Sequence, residues 1–171
     1  MRDLSMHILD LAENCTRAGA RNVFIEVIED GVKGLMTITI KDDGKGMTPE
    51  EVRNALDPFY TTKGVRKVGL GLPLMRETAE RCDGSLEVES KPGEGTTVRA
   101  TMLLNHIDRP PMGDLTETLT TLIAGNPEVD FDVRYVVDGE VEEFSTRSGR
   151  PEGDGAPANA AEVKTTLASG Q

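Results

Sequence analysis

The sequence predicts an α/β protein of two layers, with helices packed on a mainly antiparallel sheet. Two observations carry this prediction. Pairs of strand-like runs rich in β-branched residues flank tight turns, and the segments around them repeat apolar residues at helical spacing. At 171 residues with 37% hydrophobic content, the chain is long enough to bury one sizeable core.

The first helix is predicted from Leu4 to Ala18, where a buried stripe recurs at helical spacing, and Gly19 ends it. The members of that stripe are Leu4, Ile8, Leu11, Cys15 and Ala18. The runs NVFIEVIE (22–29) and LMTITIKD (35–42) flank a glycine-containing turn. They are expected to form a first β-hairpin.

The middle of the chain repeats this plan. Thr48 is a capping hydroxyl, followed by a first-turn proline and by Glu51 at the position of a capping box, so a short helix should run to about Leu56. A loop over 57–68 precedes GLGL (69–72), which opens another helix. SLEVES (85–90) and TTVRATMLL (96–104) alternate around KPGEG and predict a second hairpin.

The pattern changes after His106. A proline pair precedes a predicted helix over 114–124 and two strand-like runs around Asp138. We interpret 1–105 as the main domain, 106–147 as a small accessory unit, and 148–171 as a flexible tail rich in Gly, Pro and Ser with a short helix near 160–168. A chain ending at Asn105 is therefore expected to keep the function of the main domain.

Composition excludes several classes of protein. The formal charge of −11 argues against coating of nucleic acid or anionic lipid. No apolar run approaches the ~20 residues that span a bilayer, and the acidic N-terminus does not resemble a signal peptide, so a cytoplasmic location without membrane contact is expected. Cys15 and Cys82 lack metal-ligand spacing and are predicted to be reduced and buried.

Four segments in fixed order carry the functional signal. They are LAENCTRAGA (11–20), DDGKGM (42–47), DPFYTTK (57–63) with GLGL (69–72), and GEGTT (93–97). Together they resemble the ATP-binding domain of the GHKL superfamily of DNA gyrase, heat-shock chaperones, histidine kinases and MutL. The resemblance covers about residues 4–104. It implies a Bergerat-type fold, a mixed, mainly antiparallel sheet with helices on one face, and it implies ATP and Mg²⁺ as cofactors.

The first glycine box is expected to bind the base. Asp42 ends a hydrophobic strand, where its carboxylate can accept a hydrogen bond from the exocyclic amine of adenine and so favour ATP over GTP. Gly44 and Gly46 would let the backbone approach the purine, and Thr96 could support Asp42 directly or through a water. Read alone, each of these residues is also an ordinary turn or strand residue.

The first helix is expected to serve the phosphates. Asn14 offers an amide oxygen of the kind that magnesium accepts beside phosphate oxygens, although asparagine is also ordinary on a helix surface. Asp10 lies one helical turn earlier on the same face and is the candidate general base. Gyrase-like ATPases and anti-sigma serine kinases carry a longer glutamate there, so Asp10 could act through a water or be a surface acid.

The second glycine box and its preceding loop complete the predicted phosphate site. Gly69, Leu70 and Gly71 precede a helix whose free N–H groups would face phosphate oxygens. The cations Lys63, Arg66 and Lys67 stand on a candidate lid over the γ-phosphate, or are merely solvated. Lys67 takes a position where histidine kinases commonly carry another glycine, which puts the motion of the lid in question.

The closest resemblance is to the catalytic domain of histidine kinases, here as a small stand-alone protein. No dimerising helical hairpin with a phosphoacceptor is recognised, and His7 is interpreted as a surface or core residue. The chain is therefore expected to transfer or hydrolyse the γ-phosphate with a separate protein partner or phosphoacceptor, and a homodimer is left open. The alternatives are a nucleotide-switched interaction module with little turnover and an anti-sigma-type serine kinase.

Overall fold

The computed structural model describes residues 3–59 and 71–147. Ten elements follow one another in the chain. They are α1 (Leu4–Arg17), β1 (Asn22–Asp30), β2 (Leu35–Asp42), α2 (Pro49–Leu56), α3 (Gly71–Arg81), β3 (Ser85–Lys91), β4 (Gly95–Leu103), α4 (Leu115–Gly125), β5 (Asp130–Val137) and β6 (Glu140–Ser145). None of the helices in the described ranges is long and apolar enough to cross a membrane.

The strands form one six-stranded sheet in the order β3-β4-β2-β1-β5-β6. The contacts between β1 and β2, β2 and β4, β3 and β4, and β5 and β6 are antiparallel, whereas β5 runs parallel to β1. The register places Asp42 opposite Thr96, and Asn22 opposite Asp130. The predicted mixed, mainly antiparallel sheet is confirmed.

Alternating burial along the strands places the helices on one face of the sheet. Val23, Ile25 and Val27 of β1 are at most 1% exposed, while Phe24 and Glu26 between them are half-buried. The same alternation in β2 and β4 buries Met36, Ile38, Ile40, Val98, Ala100 and Met102. Since successive side chains of a strand point to opposite faces, one face meets the helices and the other is open.

Local capping signals fix where α1, α2 and α4 begin. The Asp3 carboxylate accepts from the Met6 N–H at the start of α1. Thr48 and Glu51 form the predicted capping box of α2. Asp114 caps α4 and accepts from the Glu117 N–H, so the helix begins one residue later than predicted.

Residues 106–147 share the sheet and the core with the preceding chain. β5 pairs with β1, and α4 packs on α1. The first-turn N–H groups of Leu4 and Ser5 donate to the carbonyls of Pro111 and Met112 at 2.9 and 2.8 Å. The division of the chain at residue 105 is a proposal about where the nucleotide-binding motifs end. The tail predicted over 148–171 lies outside the described residues.

Phe131→Ala should reveal whether the chain unfolds as one unit. Phe131 on β5 is fully buried in the shared core, and its truncation should lower the free energy of unfolding by about 3–5 kcal/mol. The control is Ile107→Ala, because Ile107 is 94% exposed. Denaturant unfolding should stay a single transition that shifts as a whole. Two separable transitions, with only one shifted by Phe131→Ala, would mean that 106–147 is an independent unit.

Candidate functional site

The carboxylate of Asp42 closes the end of β2. Its side chain is 8% exposed, and Oδ1 accepts from the Gly44 N–H at 2.7 Å, which turns the chain out of the sheet. Cys15 of α1 is buried nearby. Burial, and next the charge of Asp42, raise the pKa of the Cys15 thiol well above its usual value, so Cys15 stays a protonated thiol beside the carboxylate. Both cysteines are free and buried, as predicted.

The two predicted glycines after Asp42 lie where a side chain would collide with backbone. A Cβ on Gly44 would lie 2.9 Å from the carbonyl oxygen of Ala18. Gly46 has φ +70°, and a Cβ there would overlap the Lys91 carbonyl. The intervening Lys45 donates its N–H to the Ala18 carbonyl at 2.9 Å. The loop is thereby held between the end of α1 and the turn from β3 to β4.

Two further residues shape this end of the sheet. Gly95 has φ +107°, and a Cβ there would overlap the Asp42 carbonyl, so only glycine fits between β4 and β2. The Ser90 hydroxyl lies 2.7 Å from that of Thr96 and accepts from the Met47 N–H at 2.8 Å. Sequence reasoning quoted Gly95 only as part of a motif and missed Ser90, which has no motif signal of its own.

A cleft of about 640 Å³ opens beside Asp42. Asp42, Ser90 and Thr96 form its polar wall, and Pro49 and Val52 of α2 with Val88 of β3 supply apolar surface. The other lining residues are Lys41, Glu89, Lys91, Glu94, Gly95 and Thr97, so the lining is largely polar and charged. The volume of the cleft is in the range of small-molecule sites. Asp10, Asn14 and Gly71 are not among the described residues that line this cleft.

The predicted phosphate residues meet where α1 crosses the start of α3. A Cβ on Gly71 would lie 3.4 Å from Asn14 Nδ2 and 3.5 Å from the Cβ of Asp10. The amide oxygen of Asn14 accepts from Arg17 at 3.3 Å, and the same guanidinium lies 3.3 Å from Glu13. The structure thus brings Asp10, Asn14 and Gly71 together, with Arg17 at the oxygen predicted to bind metal.

The sequence pattern described as histidine kinase-, DNA gyrase B-, and HSP90-like ATPase matches residues 2–106. The chain belongs to this ATPase family. The match covers both glycine boxes, the helix of Asp10 and Asn14, and the β3–β4 hairpin, and it ends before α4.

The relatives include kinases and an anti-sigma factor. A non-motile and phage-resistance protein of Caulobacter vibrioides is 33% identical over 63% of this chain and 14% of its own length. Sporulation kinase C of Bacillus subtilis is 32% identical over 49% of this chain and 23% of its own length. An anti-sigma F factor of a Thermoanaerobacter species is 33% identical over 58% of this chain and 67% of its own length. The chain spans less than a quarter of the first two proteins.

Solved structures agree on the fold. The N-terminal domain of a DNA repair protein superposes with a TM-score of 0.58 at 17% identity, covering 98% of this chain and 57% of that chain. The MutL ATPase domain of Aquifex aeolicus, complexed with ADP, superposes with a TM-score of 0.50 at 19% identity, covering 98% of this chain and 68% of that chain. At these identities, the likeness is one of fold.

Several residues predicted from the family resemblance cannot be placed. Lys63, Arg66, Lys67, Gly69 and Leu70 lie outside the described residues, so the lid and most of the second glycine box stay predictions. His7 is placed: it is 3% exposed, and its Nε2 lies 3.3 Å from the Thr78 hydroxyl. His7 is therefore a core residue between α1 and α3.

Gly46→Ala should disrupt this ATPase-family loop, and Gly93→Ala provides a matched control. Both glycines have a positive φ, +70° and +80°, so alanine carries a strain of about 1–2 kcal/mol at either position. Only Gly46 also faces backbone, whereas a Cβ on Gly93 meets nothing within 4 Å. Denaturant titration should give a clearly larger loss of unfolding free energy for Gly46→Ala. Equal losses would mean that the close approach to Lys91 imposes no constraint.

Proposed function

We propose that this protein binds ATP with magnesium and transfers or hydrolyses the γ-phosphate in a regulatory role, with a separate protein as partner or phosphoacceptor. The observation that supports this most is the face of α1. Asp10, Asn14 and Ala18 follow at intervals of one helical turn and share that face. Ala18 lies against Gly44, in the loop of residues 42–47 that we assign to the base and call the base loop. Asp10 and Asn14 lie against Gly71.

The spacing along α1 suits an extended nucleotide. From Ala18 to Asp10 the helix rises about 12 Å, so one end of its face meets the base loop and the other meets the start of α3. In the proposed mode, adenine lies by Asp42 and the phosphates lie by Gly71. The free N–H groups expected at the start of a helix are suited to phosphate oxygens.

Adenine recognition follows from the oxygens of Asp42. Oδ1 is engaged by the Gly44 N–H, which fixes the carboxylate plane. A carboxylate has several acceptor sites, so the remaining sites can accept from the exocyclic amine of adenine. Guanine presents a carbonyl at the corresponding ring position, which a carboxylate repels. The site is therefore proposed to select ATP over GTP.

The metal role of Asn14 requires Arg17 to move. A guanidinium only donates hydrogen bonds, and its positive charge opposes a cation at the same oxygen. Glu13 is already within 3.3 Å of Arg17 and is a ready alternative partner. The Asn14 oxygen would then be one magnesium ligand beside phosphate oxygens and waters. When bound, magnesium would offset the charge that develops on the phosphates.

Asp10 is proposed as the general base. Its position one turn before Asn14 and beside Gly71 puts a carboxylate near the proposed phosphate site. There it would take the proton of the attacking water or hydroxyl. Lys63, Arg66 and Lys67 are proposed to stabilise charge on the γ-phosphate from the lid.

A second candidate is an anti-sigma-type serine kinase. Two observations favour it: the carboxylate at position 10, and the anti-sigma F factor that matches over 67% of its own length. In this case the acceptor is a serine hydroxyl on a partner protein. A third candidate, a nucleotide-switched interaction module, would bind ATP tightly without turnover. Incubation with γ-labelled ATP and magnesium, with and without cell extract, separates the three by where the label goes.

Thermal unfolding should distinguish ATP from GTP. At a hundredfold excess over its dissociation constant, magnesium–ATP should stabilise the fold by about 2.7 kcal/mol, or about 5–10 °C in melting temperature. GTP should give a far smaller shift. Asp42→Asn keeps an oxygen for the Gly44 N–H but replaces the second oxygen by a donor, so it should abolish the ATP shift while the loop stays folded. Equal shifts with ATP and GTP would refute the adenine assignment.

Substitutions of Asp10 should change the reaction rate, whereas substitution of Asn14 should change ATP binding. Asp10→Asn should keep ATP binding but slow hydrolysis or transfer by roughly 10²–10⁴-fold, as expected for loss of a general base. Asp10→Glu should retain or raise the rate. Asn14→Ala should instead weaken magnesium-dependent ATP binding, because it removes a ligand.

The rates of these variants also rank the candidates. Asp10→Asn at the wild-type rate would remove the base assignment and favour phosphotransfer of the histidine-kinase kind. Tight ATP binding with no turnover in any variant would favour the interaction module. If Asp10→Asn is slow and Asp10→Glu retains or exceeds the wild-type rate, the result would favour a base-assisted reaction, as in the serine-kinase candidate.

A further inference from the structure

A chain of polar contacts links the end of β6 to the first glycine box. Arg147 follows β6, and its guanidinium donates to Asp132 at 2.7 Å and to the amide oxygen of Asn22. The same guanidinium lies 3.7 Å from Asp130. Asp130 and Asp132 belong to β5, while Asn22 begins β1, so Arg147 ties the two parallel strands together at this end of the sheet.

Asn22 continues the chain to Asp43. Its amide nitrogen donates to Asp43 Oδ2 at 2.7 Å. The backbone N–H groups of Arg21 and Asn22 both donate to Oδ1 of the same carboxylate at 2.9 Å. The Asn22 side-chain hydrogen bond is the first cause of the lowered pKa of Asp43. Asp43 directly follows Asp42, so its hydrogen bonds hold the start of the loop next to the proposed base-binding carboxylate.

The chemistry of an amide gives Arg147 a definite task. A guanidinium donates and cannot accept, so it selects the oxygen of the Asn22 amide and leaves the NH₂ group for Asp43. The reverse orientation would place the amide oxygen against a carboxylate. Arg147 and Asp43 therefore favour the same orientation of the Asn22 amide, the guanidinium from the oxygen side and the carboxylate from the nitrogen side.

The origin of these residues in the sequence matters as well. The family match ends at residue 106, so Arg147, Asp130 and Asp132 all lie beyond it. Asn22 and Asp43 lie within it. The contact of Arg147 with Asn22 therefore joins the segment after the family match to a residue within it, and Asn22 in turn bonds Asp43 in the loop that follows Asp42.

We propose that Arg147 is a positioning residue for nucleotide binding, which acts through Asn22 and Asp43 to hold the loop of Asp42, Gly44 and Gly46. The C-terminal strands thereby set the affinity of the site for ATP. This inference rests on the proposed function, because it assigns the loop to adenine. Arg147 itself touches no proposed ligand.

A matched pair of arginines tests the proposal in the full chain. Arg147→Ala removes the contact to Asn22. The control is Arg134→Ala, because Arg134 lies on β5 and its side chain is 42% exposed, against 49% for Arg147. Arg134 forms an ion pair with Glu26 at 2.8 Å on the open face of the sheet. Calorimetric titration with magnesium–ATP gives the dissociation constant, and thermal unfolding without nucleotide gives the stability of each variant.

Arg147→Ala should raise the dissociation constant for ATP about two- to tenfold, the range for loss of one hydrogen bond. Arg134→Ala should leave the dissociation constant for ATP unchanged, although it should lower the stability of the fold about as much as Arg147→Ala does. In the Asn22→Ala background, Arg147→Ala should add nothing further, because its route is gone. Arg147→Lys, which keeps a donor for the amide oxygen, should restore part of the affinity. Equal weakening by both arginine variants, or additive effects of Asn22→Ala and Arg147→Ala, would overturn the proposal.

A nucleotide-free measurement separates this proposal from the proposed function. Amide hydrogen exchange of residues 43–47 should become faster in Arg147→Ala and stay at the wild-type rate in Arg134→Ala. If no variant binds ATP but exchange still responds to Arg147 alone, the adenine assignment and the effect on affinity fail, and Arg147 holds the loop without a role in nucleotide binding. If ATP binds and neither exchange nor affinity responds to Arg147, the positioning role fails and the proposed function stands.

Discussion

The hydrogen bond from the Gly44 N–H to the Asp42 carboxylate is the contact on which the candidate site depends. It ends β2 and turns the chain toward α1, where Lys45 bonds the Ala18 carbonyl. Because this turn brings the loop against the β3–β4 hairpin, Gly46 and Gly95 must lack side chains. A carboxylate at this position therefore has two tasks, to terminate a strand and to present an acceptor at the cleft.

The helix α1 relates the two ends of the proposed site. Its buried face packs on the sheet through Ile8, Leu11 and Cys15. A neighbouring face presents Ala18 to the base loop and Asn14 to the start of α3. Since a helix is stiff and its rise per residue is fixed, the packing that stabilises the fold also sets the distance between the proposed base site and the proposed phosphate site.

The sequence predicted the parts with local signals. Helical spacing, capping residues and glycine turns predicted the hairpins and α1 to α4 to within a few residues. The helical spacing also predicted a buried stripe on α1, of which Leu4, Ile8, Leu11 and Cys15 are buried, whereas Ala18, at the end of the helix, is half-buried. The parallel pairing of β5 with β1 could not be predicted, because nothing local specifies the partner of a strand. Ser90 and Arg147 were missed for the same reason. The contact between Arg147 and Asn22 joins residues 125 positions apart, and neither residue stands in a motif.

The segment after the family domain contacts the elements that carry the proposed site at two separate places, the first turn of α1 and the start of β1. The carbonyls of Pro111 and Met112 accept from the first turn of α1, and Arg147 donates to the amide oxygen of Asn22, which in turn donates to Asp43. Each such hydrogen bond contributes only about 0.5–1.5 kcal/mol net, which is too little to decide whether the core folds. It is enough to change a ligand affinity severalfold, and coupling energies between distant sites are commonly of about this size. Contacts of this energy therefore favour a role of the C-terminal strands in modulating nucleotide affinity over a role in the chemical step.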